Sequence, residues 1–143
     1  MKVKRLFGAD CNPKQLSPLT LAFVGDGVFE LFVREKLVCQ GNCPVNALHK
    51  RSVEQVCCGA QAVAAKKLLP LLTEEEAAVY NRGRNAHVGH VPKNAKVADY
   101  RAATAFEALF GYVYLSGDLE RLRMLFQIAC EALEGADETH PLV

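Results

Sequence analysis

The sequence predicts an all-α domain, on three observations. Apolar residues recur at spacings of three and four through almost every segment. Helix-starting and helix-ending residues fall at intervals that suit five to seven helices. No run shows the strict alternation of a strand. The 143 residues suit one domain, and 50% hydrophobic with 23% charged residues is a globular composition.

Taken in order, residues 1–16 form an N-terminal segment. Ser17-Pro18 reads as an N-cap followed by proline in the first helical turn. Leu21, Val24, Val28, Leu31 and Phe32 then mark a helix to about Val38, and Gly41 and Pro44 break the chain. A second helical stretch is expected from Val45 to Leu69, split near Lys50 and Arg51, with Pro70 limiting it. Thr73-Glu74-Glu75-Glu76 is a capping box, and its helix should reach about Arg82. Gly83 to Asn94 reads as a loop or broken helix end. Ala98 to Leu115 is a largely apolar helix closed by Gly117. Asp118 to Leu133 is an amphipathic helix with Leu119, Leu122, Phe126, Ile128 and Ala129 on its core face. The domain proper is read as 17–134, with 135–143 a polar, frayed tail.

The net charge of +1 excludes a histone-like protein but not a nucleic-acid partner, because local charge matters more than the total. From Arg82 to Arg101 lie Arg82, Arg84, Lys93, Lys96 and Arg101, with His87 and His90, against one acid, Asp99. Such a loop suits phosphate binding; an ordinary solvated loop is the alternative. No apolar run approaches the roughly 20 residues of a membrane span, and no signal-peptide core follows Met1, so a cytoplasmic protein with no membrane partner is expected. Six cysteines (11, 39, 43, 57, 58 and 130) are expected as free thiols. Cys39, Cys43 and His49 lack a second close ligand pair for a zinc site.

Two acids stand out. Asp26 sits between Gly25 and Gly27 in the apolar run Leu21–Phe29. Each helical glycine costs about 1 kcal/mol relative to alanine, and a buried carboxylate costs more unless paired or bound to metal. This double cost suggests that the backbone approaches something closely and that a charge is needed; a buried Asp paired with Arg, or capping a kink, is the alternative. Glu107 sits mid-way along the most apolar helix, with Thr104 at i−3 and Gly111 at i+4 and no basic partner on its face. If both acids converge from antiparallel helices they make a hard-oxygen site of the kind Mg²⁺ favours. Glu30, one turn beyond Asp26, pairs with Arg34 at i+4 or contributes to that site.

The segments "LAFVGDGVFE" (21–30) and "TAFEALFGYVYL" (104–115) resemble the two catalytic helices of the ribonuclease III superfamily. "LHK" at 48–50, "EEEAAVYNRGRNA" at 74–86, "VPKN" at 91–94 and "YRAATAFEAL" at 100–109 resemble more closely the Mini-ribonuclease III family, which lacks the separate double-stranded RNA-binding domain. Where the wider superfamily has two further acids, this chain has Ala22 and Thr104. The resemblance implies a metal-dependent endoribonuclease with Asp26 and Glu107 as catalytic metal ligands. It implies Mg²⁺, with Mn²⁺ as a substitute. It further implies a homodimer that cuts a double-stranded stem of 23S ribosomal RNA precursor, leaving 5′-phosphate and 3′-hydroxyl ends, with a ribosomal protein as a possible assistant. Arg82, Arg84, Lys93, Asn94, His49 and Lys50 are the RNA-contact candidates. Phe29 or Phe32 is expected in the dimer interface. A catalytically silent RNA-binding protein on the same fold is the rival reading.

Overall fold

The computed structural model describes residues 5–86, 91, 93 and 96–139, and all side chains among them except those of 135–139. His87, His90 and Asn94 lie outside the described residues. Six α-helices account for most of the chain: α1 (Pro18–Cys39), α2 (Val45–Val56), α3 (Cys58–Leu68), α4 (Glu74–Arg84), α5 (Val97–Leu115) and α6 (Leu119–Thr139). Short 3-10 turns occupy Pro13–Gln15 and Leu69–Leu71. No strand occurs among the described residues, so the fold is all-α. None of the described helices is long and apolar enough to cross a membrane.

Most helix boundaries follow local chemistry. The Ser17 hydroxyl accepts from the Thr20 amide, and Pro18 opens α1. At α4 the capping box is complete: Thr73 Oγ1 accepts from the Glu76 amide (3.2 Å), and Glu76 Oε1 accepts from the Thr73 amide (2.9 Å). Gly117, at φ 79°, turns the chain after α5.

Three boundaries depart from the expectation. The α2–α3 break falls at Cys57, in extended conformation (φ −64°, ψ 156°), not at Lys50 and Arg51. Lys50 and Arg51 are good helix formers, and charge alone does not interrupt a helix. Helix α4 continues to Arg84, past Gly83. Helix α6 continues to Thr139 rather than fraying at 135, since Ala136 and Glu138 favour helix and the next proline is Pro141.

Helix α5 is the centre of the molecule. Ten of its residues are buried, more than the single apolar stripe of a surface helix supplies. Helices α1, α3 and α4 all pack on it. The core face of α1 is Leu21, Ala22, Gly25, Phe29, Val33 and Leu37. Leu31, one of the apolar residues whose spacing marks the helix, is 56% exposed. It lies about 200° round the helix from Phe29, on the side away from α5. Phe29 is wholly buried, with T-shaped contacts to Phe106 (4.9 Å), Phe110 (5.4 Å) and Phe126 (5.8 Å). Phe32 lies against Phe126 at 4.6 Å. Phe29 is therefore committed to its own core and offers no surface to a second subunit; Phe32, the other residue expected there, is only partly buried.

The contact of α1 with α5 is backbone on backbone. A Cβ placed on Gly25 would lie 1.6 Å from the Glu107 carbonyl oxygen, and one on Gly111 would lie 2.0 Å from that of Leu21. Residue 25 thus meets 107 while residue 21 meets 111, so the two helices run in opposite directions. Gly27 meets nothing within 4 Å. Only one of the two glycines beside Asp26 is explained by close approach.

Alanine at Gly25 should force the helices apart and destabilise the fold by about 3 kcal/mol or more, beyond ordinary overpacking. Alanine at Gly27 should be neutral or stabilise by up to about 1 kcal/mol. Urea denaturation followed by circular dichroism compares the two; equal stability of both variants would refute the close crossing.

Candidate functional site

The α1–α5 crossing sets the position of both acids. Asp26 is one residue on from the contact glycine and therefore projects beside the seam. On that side Leu19, Ala22, Phe23 and Asp26 form one stripe of α1, and Tyr100, Ala103, Thr104 and Glu107 form the matching stripe of α5. With Val56, Cys58 and Gln61 they line a cavity of about 200 Å³. That is room for several waters at roughly 30 Å³ each.

Asp26 stands at the exposed side of this cavity and Glu107 deeper. Burial pushes the Glu107 carboxyl up to about 8, and the charge of Asp26 adds to the effect. Partial burial raises Asp26 as well, with the nearby charge of Glu30 contributing. Glu30 itself is taken up by Arg34, at 2.8 Å across one helical turn, and it does not line the cavity. The Thr104 hydroxyl donates to the Tyr100 carbonyl (3.0 Å), which leaves its oxygen lone pairs free to accept.

The site thus offers two carboxylates and a hydroxyl, all hard oxygen donors. Among the described residues no third His, Cys, Asp or Glu joins them. Two like charges in a half-enclosed space repel, and a divalent cation is the group that relieves this. The donor set fits a cation that keeps several waters.

The other candidates are distributed differently. Arg82 and Arg84 are exposed at the C-terminal end of α4. Gly83 between them packs on Ala105 and Ala108 of α5: a Cβ there would lie 2.9 Å from the Ala105 Cα. This contact fixes both arginines relative to the helix that carries Glu107. Lys93 is exposed, and so are Lys96 and Arg101 at the start of α5. His49 and Lys50 are on α2; His49 lines a separate, apolar cavity with Arg34, Leu37, Val38, Val45, Leu48 and Ser52. The structure does not bring it into the Asp26–Glu107 cavity. All six cysteines are free, as expected.

Gln61 was not among the residues singled out from sequence. It is 1% exposed and lines the cavity. The signal was present: Gln61 interrupts the Ala-rich face completed by Ala64 and Ala65, both buried.

The raised Glu107 pKa makes folding depend on pH in a defined direction. Below about pH 4.5 the carboxyl is protonated both folded and unfolded, and it contributes nothing to the dependence. Between 4.5 and about 8 the folded protein holds a proton that the unfolded chain releases, so stability falls as pH rises. Glu107→Gln should therefore raise the melting temperature of the metal-free protein by several degrees at pH 8 and far less at pH 5. Calorimetry at the two pH values checks this; an equal effect at both would contradict it.

Comparison with known proteins agrees with this architecture. The Ribonuclease III domain family matches residues 19–118. The chain is 48% identical over 119 residues to Mini-ribonuclease 3 of Thermoanaerobacter sp. (strain X514), covering 83% of this chain and 84% of that protein. It is 48% identical over 123 residues to Mini-ribonuclease 3 of Symbiobacterium thermophilum, covering 86% and 95%. Among solved structures it is similar to protein FN1578 from Fusobacterium nucleatum, with TM-score 0.74 and 30% identity over 82% of this chain and 94% of that one. The matched residues 19–118 take in both acids, their crossing helices and the arginines of α4, and on these grounds the chain belongs to the Mini-ribonuclease 3 family.

Proposed function

We propose that this protein is a divalent-metal-dependent endoribonuclease that cuts double-stranded RNA. The observation that carries the reading is the cavity that Asp26 and Glu107 line together in a chain of the ribonuclease III type. Asp26 and Glu107 would hold Mg²⁺, or Mn²⁺ in its place. The cation supplies charge neutralisation at the scissile phosphate and activation of a water. Asp26, at the exposed side, faces arriving substrate. Glu107 gives up its proton when it becomes a ligand, so cation affinity should rise with pH up to about 8.

The substrate is held by charge. Duplex RNA is read mainly by shape and phosphate contacts, and Arg82, Arg84, Lys93 and Lys96 are exposed beside the helix that bears Glu107. Asn94, outside the described residues, belongs to the same segment. Lys50 is an additional exposed contact on α2. His49 is the weakest of the RNA candidates, given its separate cavity. A homodimer with one site per subunit suits two antiparallel strands and doubles the number of basic segments. Phe23 (83% exposed) and Leu19 (43% exposed), at the cavity rim, replace Phe29 as the apolar surface for that contact. The substrate in the cell is a stem of 23S ribosomal RNA precursor in the cytoplasm, cut to leave 5′-phosphate and 3′-hydroxyl ends, and a ribosomal protein could present it.

Asp26→Asn and Glu107→Gln should each lower single-turnover cleavage of a perfect RNA duplex in Mg²⁺ by about 100-fold or more, with the helical circular dichroism retained. Full activity of either variant would remove that residue from the metal role. Full-strength duplex binding without any cleavage by the unaltered protein would favour the silent RNA-binding reading.

The double variant Arg84→Ala, Lys93→Ala removes four charges per dimer, so it should weaken binding to all duplex sequences and flatten the salt dependence by up to about four units of logarithmic slope. Cleavage at saturating RNA should persist. A salt titration with Ca²⁺ in place of Mg²⁺ measures this, and an unchanged slope would show that the basic segment is not what holds the RNA.

A further inference from the structure

Gln61 stands on the wall of the Asp26–Glu107 cavity. Its side chain is buried within the first turns of α3, yet its Oε1 has no hydrogen-bond partner. Buried amides are almost always paired, and leaving one unpaired is costly. The same side chain lines the cavity between Asp26, Thr104 and Glu107. Nearby on the wall, Ala22, Val56 and Ala103 offer no polar side-chain atom.

A cation held by only two carboxylates keeps several of its waters. Each such water carries two O–H donors that need acceptors, and on the buried side of the cavity, away from Asp26, the wall must supply them. Among the described residues, the neutral side-chain acceptors on the wall are the hydroxyls of Thr104 and Tyr100 and the unpartnered Oε1 of Gln61, which is the one of them that is buried without a partner.

We propose that Gln61 is a positioning residue of this site, its Oε1 accepting a hydrogen bond from a water on the cation that Asp26 and Glu107 hold. The inference rests on the metal-dependent reading above. It assigns the unpaired amide a ligand by chemical class: the hydration shell of a divalent metal. Neutral acceptors thus support a cation that has few charged ligands, and they orient its waters relative to the two acids.

The test is Mn²⁺ binding to the full chain without RNA, by isothermal titration calorimetry and by the electron paramagnetic resonance of free Mn²⁺. Gln61→Met keeps the volume and removes the acceptor. It should weaken Mn²⁺ binding by about tenfold, while the metal-free melting temperature stays level or rises because the unpaired amide is gone. Gln61→Glu keeps an oxygen at the same reach and should bind Mn²⁺ at least as tightly as the unaltered protein, a rescue that a purely structural role would not give. If Gln61→Met does not fold, Gln61→Asn, which withdraws the oxygen by one methylene, takes its place with the same expected loss. Unaltered Mn²⁺ affinity in the acceptor-free variant, or weakened affinity in Gln61→Glu, overturns the role of Gln61. Asp26→Asn in the same titration separates the two levels. If it leaves Mn²⁺ affinity unchanged, the cation site fails and the role of Gln61 falls with it. If it abolishes binding while Gln61→Met does not weaken it, only the inference about Gln61 fails.

Discussion

The close approach of α1 and α5 is the constraint on which the rest of the structure depends. With Gly25 on the Glu107 carbonyl and Gly111 on the Leu21 carbonyl, the two backbones touch without intervening side chains. That contact places Asp26 and Glu107 along the same edge of the seam. The cost of two helical glycines is therefore tied to the chemistry: wider spacing would draw the acids apart. Below the seam the cluster Phe29, Phe106 and Phe110 fills the space and holds the crossing. Burying rings of this kind stabilises the fold by roughly 1.5–3 kcal/mol each.

The site is an electrostatic liability without a ligand. Glu107 is raised to about 8 by burial and by Asp26, and among the described residues no basic side chain lines their cavity. The contrast with Glu76 is instructive. Glu76 is more completely buried by its surroundings, but Arg121 donates to both of its oxygens (2.6 and 2.9 Å), and its carboxyl is held below the usual range. That pair ties α4 to α6 and so steadies the helix that carries Arg82 and Arg84. Burial without a partner raises one glutamate, and a guanidinium partner outweighs burial at the other: Glu76 is satisfied within the fold, and Glu107 is not.

The sequence made the helices legible because caps and breakers act locally. The Thr73 box, Ser17-Pro18 and Gly117 all function as their residue types require. Asp26 and Glu107 were legible as misplaced charges, and both line one cavity. Less legible was anything decided by packing between helices. The face of α1 that turns inward was not legible because Leu31 and Phe29 are both strongly apolar, and the glycine contact decides between them. The second role of Glu76, as partner to Arg121, lies 45 residues away in sequence. Gln61 went unread because glutamine is a good helix former and its burial is set by α5, not by its neighbours.

The central claim is that the glycine crossing builds one cation site from Asp26 and Glu107. Anomalous diffraction from crystals soaked in Mn²⁺ tests it most directly. The account predicts an anomalous peak in the α1–α5 cavity, with an oxygen of each carboxylate at about 2.1–2.2 Å from the metal. A fully occupied Mn²⁺ bound by neither acid, or by Asp26 with the Glu107 carboxylate beyond reach of the metal and its waters, would contradict it.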